Sequence, residues 1–219
     1  MTSVGPMWDQ RFATGQWPRE PDPFLVALAD PLPAGRGLDL GSGPGRNSVW
    51  LAAKGWDMTL VDASRVGLDL AVAAASAEGA AVTTIEANLD EWRPDPSYFD
   101  LVIVANLHPG PDRLGTILQH ATEALCPGGH LYVVGHHLDN LGRHGPPDPD
   151  RLLTDERLRA ALPSELDVHV LETRSRRSAG GGDDAPAQRH EVGGDEGRGS
   201  DLVVVAWAGK PQLSNEHAR

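Results

Sequence analysis

Three glycines alternate through Leu38-Asp39-Leu40-Gly41-Ser42-Gly43-Pro44-Gly45-Arg46, between an apolar run and a helical pattern. The stretch predicts a strand, a tight turn and a helix N-terminus. Glycine lacks a Cβ and takes positive φ without strain, so backbone at such a turn can approach a ligand closely. The N–H groups at the start of the new helix are expected to face that ligand. The rest of the chain then has to supply a sheet behind the turn and a cover over it.

The remaining pattern supplies the sheet. Asp22 caps a short helix with Pro23 at its first position, followed by Phe24–Ala29. Gly37–Leu40 is the first strand, Arg46–Lys54 a helix ended by Gly55, and Trp56–Val61 a second strand that stops at Asp62. Ser64 caps a helix running to about Glu78 and ended by Gly79, and Ala81–Glu86 is the third strand. Phe99–Ala105 is nearly continuous apolar, as a strand buried on both faces requires. Pro111–Leu125 is a helix, Pro127-Gly128-Gly129 a turn, and His130–Val134 the fifth strand. Alternating strands and helices predict an α/β fold with a doubly wound parallel sheet. Residues 154–162 add one helix, and Leu166–Thr173 with Leu202–Trp207 form an antiparallel pair at one edge.

One domain over residues 1–210 is expected. Residues 1–21 form an N-terminal docking segment in which Trp8, Arg11 and Phe12 share helical spacing. Arg174–Ser200 reads as a mobile loop and 211–219 as a polar tail. The 19 basic and 31 acidic residues leave a net charge of −12, which disfavours nucleic acid and anionic lipid as partners. No run is long and apolar enough to span a membrane, and Met1–Gln10 has no leader-like pattern, so a cytoplasmic protein is expected. The single cysteine, Cys126, excludes an internal disulfide and a cysteine-based zinc site.

The turn discriminates among nucleotides. There is no G-x-x-x-x-G-K-[ST] run, and the third position of a dinucleotide G-x-G-x-x-G is Arg46. Asp39 lies two residues before Gly41, where a carboxylate would repel a pyrophosphate but welcome an ammonium and a sulfonium. S-adenosylmethionine carries both. Asp62 lies about twenty residues on, as an acid that binds ribose hydroxyls does. Asn88 and Leu89 at the third strand end would meet the adenine edge and ring; the alternative for Asn88 is an Asx-turn.

On LDLGSGPG (38–45), VDAS (61–64), EANLDEW (86–92), FDLVIVANLHP (99–109) and LCPGGHLYVVGH (125–136), the chain resembles class I S-adenosylmethionine-dependent methyltransferases. It is most similar to small bacterial enzymes related to the tellurite-resistance and thiopurine methyltransferases, which Trp8-x-x-Arg11-Phe12 also matches. The resemblance implies a Rossmann-like sheet of seven strands in the order 3-2-1-4-5-7-6, with strand 7 antiparallel. It implies cofactor contacts at Arg11, Asp39, Gly41, Ser42, Gly43, Gly45, Asp62, Ala63, Asn88, Leu89 and Asn106, with Arg11 on the cofactor carboxylate. Asn88 stands where Asp is more usual, which removes a charge but keeps an acceptor.

The methyl acceptor would face Asn106-Leu107-His108-Pro109. His108 is either a general base or a wall of the pocket. Of His136 and His137 at most one faces the acceptor, because neighbours on an extended chain point opposite ways; His136 is the catalytic candidate. Three histidines without ligand spacing do not predict a metal. Methyl transfer to a small-molecule acceptor with an O, N, S or chalcogen nucleophile is the expected activity. The alternatives are a non-catalytic cofactor sensor or scaffold and, against the Arg46 evidence, an NAD-dependent oxidoreductase. No (N/D)-P-P-(Y/F/W) run marks a nucleic-acid base methyltransferase.

Overall fold

The computed structural model describes residues 4–176 and 201–212. In chain order the elements are α1 (Val4–Thr14), α2 (Pro23–Ala29), β1 (Arg36–Leu40), α3 (Arg46–Ala53), β2 (Asp57–Asp62), α4 (Arg65–Ala77) and β3 (Thr83–Glu86). Then follow β4 (Phe99–Ala105), α5 (Pro111–Ala124), β5 (Leu125–His136), α6 (Asp155–Ala161), β6 (Asp167–Arg176) and β7 (Asp201–Gly209). Single 3-10 turns at Leu138–Asn140 and Pro149–Arg151 lie between β5 and α6. The caps fall where the sequence puts them: Asp22 accepts from Phe24 N at 3.0 Å, and Ser64 Oγ from Gly67 N at 3.1 Å.

All seven strands form one sheet in the order β3-β2-β1-β4-β5-β7-β6, and β7 runs antiparallel to both its neighbours. Successive residues of β4 feed opposite cores, as the pleat requires. Val102 and Val104 pack with Leu114, Leu118 and Leu158 from α5 and α6. Leu101 and Ile103 pack with Leu25, Leu51 and Leu68 from α2, α3 and α4. Burial on both faces explains the near-continuous apolar reading of this strand. Among the described residues no helix is long and apolar enough to cross a membrane.

Two features depart from the sequence reading. Leu125–His136 is one strand rather than a turn followed by a strand. Its register against β4 jumps between Phe99↔Leu125 and Leu101↔His130, so Pro127-Gly128-Gly129 is an irregularity inside the strand. The far side holds it: Gly128 N donates to Lys210 O (2.7 Å), and Lys210 N to Gly129 O (2.9 Å). Strand β6 extends past Thr173 through Arg176, paired with Asp201–Val203 of β7, and the Arg176 guanidinium reaches two carboxylates, Asp201 and Asp22. The expected mobile loop falls mostly on 177–200 and the expected tail mostly on 213–219, both outside the described residues.

The N-terminal segment docks through α1. Asp9 Oδ1 accepts from Ser64 Oγ (2.6 Å) and Val66 N (3.1 Å), adding a second cap to α4. Phe12 is buried, stacked with Trp8 and edge-on to Trp17. Pro6 costs little here, since the first turn of a helix has no partner for its missing N–H.

Candidate functional site

The glycine turn is held tightly by the protein itself. Gly41, Gly43 and Gly45 have φ of 74°, 51° and 73°, the left-handed region that excludes most side chains. A Cβ at Gly41 would come within 2.8 Å of Leu107, one at Gly43 within 2.9 Å of Phe12, and one at Gly45 within 2.7 Å of Ala71. The N–H groups of the turn are engaged rather than free. Gly41 N and Ser42 N donate to Val61 O (2.8 and 3.3 Å), Gly43 N to Asp62 Oδ2 (2.8 Å), and Gly45 N to Ser42 O (3.0 Å). The first three bonds fasten the turn to β2, and the fourth closes it on itself. Phe12 and Leu107 stand directly on the turn, one from α1 and one from the segment after β4.

Two buried carboxyls flank it. Asp39 accepts from Ser48 Oγ at 2.7 Å, so its visible partner is a hydroxyl of α3 and not a cation. Burial pushes its carboxyl up to about 7; Ser48 opposes this, neighbouring Asp62 adds to it, and Arg46 offsets part. Asp62 uses Oδ2 for Gly43 N and Oδ1 for Ser64 N, both at 2.8 Å. Burial raises its pKa, against those N–H bonds and one from Ala63. Its sequence reading as a ribose ligand thus meets a second role, a strut between β2, the glycine turn and α4. A carboxylate has about four lone-pair sites, so two bonds leave capacity for others.

The third and fourth strand ends differ in what they leave open. Asn88 Oδ1 accepts from Asp90 N at 3.1 Å, which is the Asx-turn of the sequence analysis. Leu89 is half-buried and packs toward the α5 core. Arg11 is exposed, its guanidinium 4.7 Å above the Trp8 ring. At the end of β4, Asn106 is left-handed (φ 54°), and its N–H donates to Val134 O at 2.8 Å. Asn106 Oδ1, Ser42 Oγ and His108 Nε2 are buried with no hydrogen-bond partner among the described residues. Orphaned polar atoms are costly in a folded protein and mark places where a ligand or water completes the bonding. Ser42 Oγ and Asn106 Oδ1 lie at the turn and at the β4 end, beside two carboxyls with no cation of their own. These residues fit a cationic polar ligand such as S-adenosylmethionine, once the apolar side chains of Phe12 and Leu107 give way.

Beyond Leu107 the structure brings two of the three candidate histidines together. The rings of His108 and His136 stack with centroids 5.4 Å apart and planes 19° from parallel. His108 Nδ1 lies 2.9 Å from Arg151 O, and a carbonyl only accepts, so Nδ1 carries the hydrogen and Nε2 the lone pair. Burial, and then the neighbouring His136, lower its pKa to about 4 against the bond to the Arg151 carbonyl, so the ring is neutral near pH 7. His136 Nδ1 is 2.9 Å from Asp201 Oδ1. His137 turns away: its Nδ1 accepts from Asp139 N at 3.1 Å and caps a 3-10 turn.

Behind His136 runs a chain of polar groups that sequence reasoning missed. Asp201 Oδ2 pairs with Arg176 through Nε (3.0 Å) and Nη2 (2.7 Å). Arg176 Nη1 reaches Asp22 Oδ2 at 2.8 Å, and Tyr132 Oη donates to Asp22 Oδ1 at 2.9 Å. Asn140 Nδ2 donates to Asp201 Oδ1 at 2.9 Å. The available signal was topological: strand order 5-7-6 with strand 7 antiparallel sets the start of strand 7 beside the end of strand 5. Next to His108, a cavity of about 370 Å³ is walled by Leu107, His108, Pro111, Leu114, Leu152 and Leu153, and His136 adjoins it through the stacked His108 ring.

Residues 38–129 match the family model of a methyltransferase domain. The match makes this stretch similar to methyltransferase domains. Solved structures share the fold at low identity. One, from work on the conversion of a disulfide bond into a thioacetal group during echinomycin biosynthesis, is 20% identical with a TM-score of 0.71, covering 97% of this chain and 94% of that one. An S-adenosylmethionine-dependent methyltransferase from Methanosarcina mazei is 18% identical with a TM-score of 0.66, covering 89% and 100%. TehB from Haemophilus influenzae is 15% identical with a TM-score of 0.61, covering 93% and 65%. No curated protein matches the sequence.

Proposed function

We propose that this chain, acting as one domain over residues 1–210, moves a methyl group from S-adenosylmethionine to a small-molecule acceptor held in the cavity beside His108. The observation that carries the reading is the glycine turn flanked by Asp39 and Asp62, two buried carboxyls without a cation, next to the orphaned Ser42 Oγ and Asn106 Oδ1. Asp62 with Ala63 takes the ribose end, Asn88 and Leu89 the adenine, and the turn from Asp39 to Gly45 the methionine. Arg11 is the cation on α1 available to the ligand's carboxylate.

The cofactor supplies an activated methyl on sulfur. The chain supplies alignment and a dry site, which together account for most of the catalysis such a displacement needs. Phe12 roofs the turn and Leu107 divides it from the cavity, so displacement of Leu107 joins donor and acceptor spaces. The presence of a cavity at His108 favours catalysis over a sensor role. The kinship with tellurite-resistance and thiopurine enzymes rests on Trp8, Arg11 and Phe12 and remains part of the proposal.

Calorimetric titration with S-adenosylhomocysteine and with NAD tests the cofactor. Binding of the first alone is expected, and binding of NAD alone would reverse the assignment. Release of S-adenosylhomocysteine across phenols, catechols, amines, thiols and oxyanions then tests the acceptor; turnover by none, despite cofactor binding, would favour the sensor.

A further inference from the structure

We infer that the acceptor is a protic oxygen or nitrogen nucleophile that gives its proton to Nε2 of His136, with Asp201 and Arg176 as positioning residues. This rests on the proposed methyl transfer and narrows its acceptor. The two stacked imidazoles are not equivalent. Asp201 Oδ1, a carboxylate oxygen, takes the Nδ1 hydrogen of His136 at 2.9 Å, which leaves Nε2 as the basic atom. A carboxylate at that position also stabilises the imidazolium that forms on proton uptake. His108 has a backbone carbonyl at Nδ1 in place of a carboxylate. It can accept a hydrogen bond from the acceptor at Nε2 but has no charge to hold a proton there.

The carboxylate is itself fixed. Arg176 grips Asp201 through two nitrogens and Asn140 donates to it, so it stays an anion that orients the ring. Arg176 in turn is held by Asp22, which Tyr132 and Phe24 N also fasten. Five elements thus converge on one ring orientation. Gly145 closes one face of that ring, where a Cβ would come within 2.9 Å of it, and His108 closes the other.

The step balances. A lone pair of the acceptor heteroatom forms the new bond to the methyl carbon as the carbon–sulfur bond breaks, and that bond's pair stays on sulfur. The electrons of the O–H or N–H bond stay on the heteroatom, and its proton passes to His136 Nε2. The positive charge lost from sulfur reappears on imidazolium beside Asp201, so the buried site gains no net charge. A thiolate or a reduced tellurium species has no proton to give and would leave this arrangement without use.

Phenol and thiophenol serve as matched probes, because thiophenol is largely ionised near neutral pH and phenol is not. Asp201→Asn is expected to lower the phenol-to-thiophenol methylation ratio at least about tenfold, within the range a general base contributes. Asp201→Glu should restore part of it. Nitrogen-15 spectra of the full chain should show His136 protonated at Nδ1, and Asp201→Asn should abolish that preference. Should Asp201→Asn fold poorly, His136→Gln repeats the ratio measurement. Equal loss on both probes, methylation of thiophenol alone by the unaltered chain, or a His136 protonated at Nε2 would each overturn the inference; if neither probe is methylated, the spectrum decides. Calorimetry with S-adenosylhomocysteine, run alongside, identifies failure of the underlying function separately.

Discussion

Asp62 Oδ2 accepts the Gly43 N–H at 2.8 Å, which ties the end of β2 to the middle of the glycine turn. Its other oxygen holds Ser64 N at the head of α4. Asp62→Ala strips a partner from two N–H groups at once, at about 1–3 kcal/mol for each one left buried. Chemical denaturation should show a loss of about 2–6 kcal/mol, and calorimetry a fall of at least about tenfold in S-adenosylhomocysteine affinity. Asp62→Asn, with one acceptor left, should fall between. Unchanged stability in the alanine variant would remove Asp62 as the strut.

Asp39 makes stability depend on pH in the unusual direction for an acid. Its native pKa is pushed up to about 7 by burial, while in the unfolded chain it ionises near its ordinary value. Between those values the unfolded state has lost the proton and the native state keeps it, so stability from this group falls as pH rises and levels off above about 7. Asp39→Asn, with its side-chain oxygen still able to accept from Ser48, should match the parent at pH 4 and exceed it at pH 8, with a ceiling of about 4 kcal/mol. Urea melts at the two pH values measure this, and an equal effect at both would refute the assignment.

His108 works in the opposite sense. Its native pKa is lowered to about 4, so an unfolded chain takes up a proton that the native ring refuses. Stability should decline as pH drops from about 6.5 toward 4, by up to about 1.4 kcal/mol per pH unit from this residue. His108→Gln should flatten that part of the acid profile. A profile with the same slope would mean that the proton goes elsewhere.

Two glycines with the same backbone sign make a controlled pair. A Cβ on Gly45 would strike Ala71 and Leu60 at 2.7 and 2.9 Å, whereas one on Gly79 meets nothing within 4 Å. Both have φ near 70°. Gly79→Ala should therefore cost only backbone strain, about 1–2 kcal/mol, and Gly45→Ala about 2–4 kcal/mol because overpacking is added. Equal destabilisation would show that the α3–α4 contact yields easily.

The succession of strands and helices, the placement of the glycine turn and the acid at the end of β2 were legible in the sequence, because each is a local signal; the order of strands across the sheet came from the family resemblance. An apolar run of seven residues from Phe99, a serine two places after Asp62, Gly55 and Gly79 after α3 and α4: these act within one or two turns of chain and need no partner to be read. The irregular β5 was not legible, since Pro127-Gly128-Gly129 breaks a strand by every local rule and its two glycines are held by Lys210, far along the chain. Nor was the destination of the turn's N–H groups, which Val61 and Asp62 settle from the next strand.

The sequence by itself determined which chemistry the chain can hold: an acid-flanked glycine turn on a parallel sheet, with histidines after the fourth and fifth strands. Only the tertiary structure decided how those histidines divide. His136 owes its carboxylate to Asp201, a residue 65 positions away that arrives because β7 runs antiparallel beside β5. His108, at a strand end just as near, receives a carbonyl instead. The two rings have the same intrinsic chemistry, and the difference between a base and a neutral wall lies in which oxygen the fold sets against Nδ1.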